Sequence, residues 1–453
     1  MKKRSLLLAM ALVAVLTGCQ KKDTTTDKVS ENKQTITEEV VAEQTDSEVV
    51  KIELSNSDIL VNGEKISEDA ESAVYKANDI IFYLENQGIQ YGEGKKTDEH
   101  SQIEADAHTV VHITEPGVYE ISGTMEAGQI FVDLGDGTKD DEDAVATLIL
   151  NNADITCTIA PAIFFYRTYE CAGDVSEEDA VMDVDTSTAG ANIVLAEGSS
   201  NKVYGSYVAE IYESCEMNEE GTEVVDSKRL HKYDGAVYSR RSMNVSGTGS
   251  LEIVAENEGM CSEMHMTIQD GNIRIKSGND GINASEDNIS VFAMNGGNLK
   301  IQVTGETGEG DGIDSNGWLV VNGGSVNSSA CATSMDAGID ADKGIYINGG
   351  TVIASGNMNA EIAEGKQPAV SFFADQMLES EEKYEIKDTD GNVIAEVSPS
   401  NAFRMLAVSS EAISAEGSYT LWLDDTQLAE GMQGGMQPPK GMEPPQRPEN
   451  KKM

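Results

Sequence analysis

From His108 onward the chain is written in short runs of β-branched and aliphatic residues: TVVHI, GVYEISGTM, GQIFVDL, ATLILNNADI, AIFFYR and ANIVLAEG. Gly, Asn and Asp bound these runs, which predicts short strands closed by tight turns. Apolar stripes at helical spacing are scarce, and Ser67 to Leu84 is the best candidate for a helix. After Tyr233 the pattern becomes a repeat. Five segments share one order: acid, Gly, apolar residue, polar turn, apolar strand, Gly pair or equivalent, second strand. Their first glycines are Gly235, Gly259, Gly281, Gly312 and Gly338, spaced 24, 22, 31 and 26 residues apart. The last two read DGIDSNGWLVVNGG and AGIDADKGIYINGG.

Periods in the twenties imply a solenoid in which each repeat buries its apolar face only against its neighbours. Helix-length stripes and regular Leu and Asn positions are missing, which excludes helical and leucine-rich repeats. Two or three short strands per repeat predict an all-β parallel β-helix over residues 106–366. A β-sandwich is the alternative, but it leaves the repeated segment unexplained. Residues 51–105 and 367–427 are expected as small N- and C-terminal β extensions. Residues 20–50 are polar and free of aromatics, and are expected to form a flexible linker. Residues 428–453 hold five of the nine prolines and are expected as a disordered tail. Two acidic stretches, Asp174 to Thr188 and Ser214 to Lys228, read as loops.

The first 19 residues are a targeting segment. MKKRS is basic, and Leu6 to Leu16 is an apolar run too short to span a bilayer as a mature helix. It ends in Leu16-Thr17-Gly18-Cys19, which resembles the bacterial lipobox. Cys19 is therefore expected to carry the lipid of a protein anchored on the extracytoplasmic face of the cell membrane. Of the other cysteines, only Cys157 and Cys171 suggest a cross-link, and no CxxC supports structural zinc.

Charge narrows the partners. The 79 acidic and 32 basic residues among 453 leave a net charge of −47, which repels nucleic acid and attracts cations. Within the repeats the acids hold fixed places. Asp314 and Asp340 follow Gly-Ile, and Asn283 takes that place one repeat earlier. Asp311, Asp280, Glu258 and Asp234 precede the glycine, and Asp336 stands one residue earlier in its repeat. Neighbouring strands lie about 4.8 Å apart. Carboxylates stacked at that spacing repel by roughly 1 kcal/mol in water, and by about 3 kcal/mol at an effective dielectric of about 20. A Ca²⁺ ion takes oxygens at about 2.3–2.6 Å, so two oxygens astride it lie at a matching separation. Turn chemistry accounts for Asp234 and Glu258. It does not account for Asp314 and Asp340, which follow an apolar residue. The expected ligand set is Asp280, Asn283, Asp311, Asp314, Asp336 and Asp340.

Other chemistry is thin. The five histidines have no ligand spacing, and no GxSxG or phosphate loop occurs. Arg240, Arg241 and Lys343 are the basic residues nearest the acidic turns, and ion pairing is their expected role, Lys343 with Asp342.

The chain also resembles a known family, the carbohydrate-binding domain proteins of bacterial cell surfaces, related in fold to pectate lyases. The passages that carry the resemblance are Ile121 to Leu134, Ala146 to Thr156, Ala191 to Val203, the DGI and NGG repeats, and Ser409 to Leu423. It implies a right-handed parallel β-helix, calcium between coils, and binding of plant-type polysaccharide without established cleavage. The two acidic stretches depart from the family pattern. The combined expectation is a monomeric, lipid-anchored, calcium-dependent protein that binds a polysaccharide such as polygalacturonate and is not an enzyme. A calcium-dependent lyase and a calcium-stiffened structural protein are the alternatives. Replacing Cys19 with Ala should abolish incorporation of a labelled fatty acid; continued labelling would exclude the anchor.

Overall fold

The computed structural model describes residues 49–433 apart from 359, 361 and 364. Cys19, most of the 20–50 linker and residues 434–453 lie outside the described residues. Within them the chain is almost wholly β, with one short α-helix, Gln102–Asp106, and one 3-10 turn, Thr138–Asp140. The strands form a mixed sheet of 23, a sheet of eight and a two-stranded ribbon.

The repeats set the pairing. From Gly235 the chain runs through one strand of the eight-stranded sheet and two of the larger sheet, then begins again. Gly235–Ser239, Met243–Gly247 and Ser250–Ala255 make one such turn; Glu258–Ser262, Met266–Ile268 and Asn272–Ser277 make the next. Each strand pairs in parallel with its equivalent one repeat later. Like therefore stacks on like. Met260 lies beside Ile282 and Ile282 beside Ile313. Ile253, Ile275 and Ile301 form a second column. These side chains are almost completely buried. Side chains alternate between the two faces of a strand, so a one-residue slip would expose a whole column.

The paired glycines turn the chain between the two strands of the larger sheet. Gly297, Gly324 and Gly350 have φ of 76°, 79° and 85°, a left-handed region that L side chains rarely occupy. Beside them runs an amide ladder. Asn348 Nδ2 donates to Asn322 Oδ1 at 2.8 Å, Asn322 to Asn295 at 2.8 Å, and Asn295 to Gln269 at 2.9 Å. The motif thus joins a residue that can make the turn to one that ties each turn to its neighbour.

Four sequence expectations fail. No helix forms over 67–84, where Val74–Ala77 is a strand antiparallel to Thr109–Ile113. The Ser67 hydroxyl accepts from Asp69 N–H at 3.0 Å, and Ser72 N–H donates to Asp69 O at 3.0 Å. These local bonds close a turn that competes with a helix. The stretch Ser214 to Lys228 is no loop, but part of the antiparallel ribbon Val208–Met217 and Val224–Tyr233; Asp174 to Thr188 has no regular element. Residues 428–433 belong to the strand Thr426–Gln433, which pairs with Ala369–Leu378 and Thr420–Leu423. Cys157 and Cys171 are not bonded, and all five described cysteines are free.

Both ends of the repeat array carry added strands. Val50–Leu54 pairs in parallel with Gly117–Met125. Phe403–Ser409 runs antiparallel against Thr351–Gly356 and opens a second core around Phe372, Tyr384 and Phe403. A side chain at Gly324 would place Cβ 2.7 Å from the Gly296 and Gly297 backbone in the adjacent repeat. Gly324→Ala should therefore destabilise the protein by about 1–3 kcal/mol, read as a lower urea midpoint with an unchanged slope.

Candidate functional site

On the eight-stranded sheet, Ile130, Ile163, Val237, Met260, Ile282 and Ile313 point into the core and are fully buried. The alternate positions form a column on the opposite face. Its register runs Tyr75, His112, Phe131, Phe164, Tyr238, Cys261, Asn283, Asp314. Asp340 N–H donates to Ile313 O at 2.7 Å and extends the column by one repeat. One column thus begins aromatic and ends acidic. In the aromatic half, ring centroids lie 5.3 Å apart for His112–Phe131, 5.2 Å for Phe131–Phe164 and 5.5 Å for Phe164–Tyr238. Tyr233 of the ribbon covers Phe164 at 4.5 Å.

At the acidic end, carboxylate oxygens of Asp311, Asp314 and Asp340 lie within 4.8 Å of one another, and all three residues are half-buried. The other expected ligands have different partners. Asp280 Oδ1 accepts from Asp311 N–H at 2.7 Å, and Asp311 Oδ1 accepts from Ala337 N–H at 2.6 Å. Each carboxylate thereby fastens its repeat to the next. Asp336 accepts from Gly310 N–H at 2.7 Å and from the Ser334 hydroxyl. Asn283 Nδ2 donates to Glu258 Oε1 at 3.1 Å.

Glu258 corrects the sequence reading, which made it a turn residue. It is 5% exposed, and its Oε2, like Asn283 Oδ1, has no hydrogen-bond partner among the described residues. A shared place before the glycine with Asp280 and Asp311 was the available signal. Glu258 also borders a cleft of about 470 Å³ with Lys232, Asp234, Glu263 and Asp287. Lys232 Nζ meets Asp234 at 3.0 Å.

Burial, and then neighbouring charge, raises Asp280, Asp311 and Glu258 above the usual carboxylate range. Burial pushes Asp311 up to about 9, aided by Asp280, Asp340 and Asp314 and opposed by Ala337 N–H. Burial, then Asp234, pushes Glu258 up to about 8 against Asn283 and Lys232. Asp280 lies well above the usual carboxylate range, through burial and the charges of Glu258, Asp314 and Asp336. The basic residues stand apart. Arg240 pairs with Glu263 at 3.3 Å, and Arg241 donates to Arg240 O at 2.7 Å. Instead of pairing with Asp342, Lys343 places Nζ 4.5 Å from the Trp318 ring centroid.

Residues 107–421, well over half of the chain, match the profile of a family described as carbohydrate-binding domain-containing protein. A protein of Acetivibrio thermocellus with the same description is 28% identical over 168 residues. The match takes in 37% of this chain and 45% of that protein, so the chain spans less than half the length of this relative. A solved polysaccharide lyase-like protein from C. thermocellum, studied as a gadolinium derivative, is 21% identical with a TM-score of 0.40, over 70% of this chain and 94% of that one.

The raised carboxyls fix the sign of a pH dependence. Between the unfolded value, about 4, and the folded values of about 8 and 9, the folded chain holds protons that the unfolded chain has released. Stability then falls as pH rises. In chelating buffer the melting temperature should decline from pH 5 to pH 9, and Asp311→Asn should flatten that decline. A melting temperature that rises over this window would contradict the assignment.

Proposed function

We propose that this chain, which belongs to the carbohydrate-binding domain-containing protein family, binds an acidic polysaccharide through calcium held on its acidic column. The observation that carries this reading is the convergence of Asp311, Asp314 and Asp340 oxygens within 4.8 Å. In this reading the parallel ladders are the coils of a right-handed parallel β-helix, and the column crosses successive coils.

The donor set fits calcium. All three donors are carboxylate oxygens, which suit a hard cation; zinc favours Cys and His. Burial, and then the charges of Asp280, Asp340 and Asp314, raise the Asp311 carboxyl, and a bound cation would lower it again. When bound, calcium would supply positive charge and coordination positions for a sugar carboxylate. Asp280 and Asp336 play a different part. Asp280 accepts from Asp311 N–H and Asp336 from Gly310 N–H, which hold the Gly310–Asp311 backbone beside the cluster. A polygalacturonate chain, with a carboxylate on each unit, suits such a site. Anchoring through Cys19 would set it on the extracytoplasmic face of the membrane.

Binding without cleavage is the favoured mode. A lyase needs a base beside the carboxylate that it neutralises. Arg240 and Arg241 follow the strand Gly235–Ser239, three strands before Asp314, or roughly 14 Å along the stack. Lys343 is nearer, but it is drawn over Trp318 and toward Glu177 O.

Calcium should raise the melting temperature, since a ligand at a hundredfold excess over Kd adds about 2.7 kcal/mol. Asp314→Ala should reduce that rise. Polygalacturonate should be retained by the protein in calcium and released by chelator, with flat ultraviolet absorbance from unsaturated products. Retention indifferent to both chelator and Asp314→Ala would overturn the calcium-bridged reading. A calcium-dependent rise in absorbance would make the protein a lyase. A calcium effect on melting with no retention would make the ion purely structural.

A further inference from the structure

The aromatic end of the outward column opens into a second cleft, of about 300 Å³. Four of its lining residues are Tyr75, His112, Phe131 and Tyr166. Tyr75 stacks on His112 with centroids 4.4 Å apart and planes 2° from parallel. Phe131 and Tyr166 stack at 5.5 Å and 27°, and His112 meets Phe131 edge-on at 5.3 Å. Two acids, Asp79 and Asp133, also line the cleft.

The rings lie on the face of the sheet turned away from the Ile and Val core, and Tyr75 and Tyr166 remain partly exposed. Neither acid is loose. Asp79 Oδ1 lies 2.8 Å from His112 Nε2, and Asp133 takes a two-pronged contact from Arg167, whose Nη2 lies 2.7 Å from Oδ2. Both carboxylates sit near the Tyr75 phenol. Burial raises that phenol first, then the charges of Asp79 and Asp133. The cleft therefore combines a preformed aromatic surface with acceptors already fixed in direction, the make-up of a small-ligand site.

Its chemistry selects among ligands. The two carboxylates already face His112 and Arg167, which weakens any case for a bare cation. They would repel a uronate or a phosphate, and the chain's charge of −47 adds to that repulsion. A neutral sugar ring meets both demands. In a gluco-configured pyranose the hydroxyls are equatorial and the axial C–H bonds cover the faces. Those faces carry partial positive charge and suit an aromatic π surface. The hydroxyl edges can donate to carboxylates, which form the stronger class of hydrogen bond.

We propose that this cleft is a binding subsite for an uncharged, gluco-configured pyranose unit, separate from the acidic column. Phe131 and Asp314 lie five strands apart on the same sheet, or roughly 24 Å. The proposal rests on reading the chain as a saccharide binder, but not on calcium.

The test is calorimetric titration of the full chain with a β-1,4-linked glucose hexasaccharide in chelating buffer. Binding should be unchanged by calcium and by Asp314→Ala. It should weaken at least about tenfold in Tyr75→Ala and survive in Tyr75→Phe, which keeps the ring. Melting curves show whether the Ala variant is folded. Independently of any variant, the hexasaccharide should slow amide exchange at residues 110–114 and 129–133 of the unaltered protein. No heat of binding, or protection confined to other strands, would overturn the proposal. So would loss of binding in chelator, which would assign the sugar to the acidic column. Failure of polygalacturonate retention with hexasaccharide binding intact would overturn the calcium reading and leave this one standing.

Discussion

Register between repeats is the constraint on which the rest of the structure depends. A parallel strand satisfies its backbone groups only through the strands on either side, and here those are mostly earlier and later copies of itself. Once Ile253, Ile275 and Ile301 are in line, the other positions of their strands are in line as well. The sequence has no freedom to stagger a residue that stacks badly.

For most positions this enforced likeness is favourable. Isoleucine over isoleucine fills space, asparagine over asparagine completes an amide ladder, and ring over ring gives edge and face contacts. For carboxylates it is not. The acidic column places like charges one strand apart in partly buried surroundings, and the structure relieves the conflict in three ways. Asp280 and Asp311 take a backbone N–H from the next repeat. Asp234 takes Lys232. Glu258 and Asp311 are driven toward their neutral forms. A cation at Asp311, Asp314 and Asp340 would be a fourth.

The sequence was legible where the repeat is regular. The all-β class and the alignment of Asp314 with Asp340 follow from two segments that nearly copy each other. It was less legible where the chain departs from repetition. Glu258 holds the place of Asp280 and Asp311, but a residue before glycine reads equally well as a turn. The ribbon at 208–233 is rich in charge because one face meets water, and charge disguised it as a loop. The aromatic half of the column was hidden for another reason. Tyr75, His112, Phe131 and Phe164 sit in segments of unequal length, some bulged, so no spacing in the sequence announces that they share a face. The turn at 67–72 depended on Ser and Asp side chains competing with the backbone, which apolar periodicity does not report.

The strand Phe403–Ser409 has a consequence for assembly. A parallel stack with bare ends is a template: its last strand offers the next copy the same edge that it offered its predecessor, and head-to-tail fibres follow. Here the final repeat meets a strand of opposite direction, which in turn belongs to a small antiparallel core. A second molecule arriving at that end would find polarity reversed and the register of the repeats broken. The array is thereby given a fixed length at this end, and a surface built by repetition is kept from repeating indefinitely.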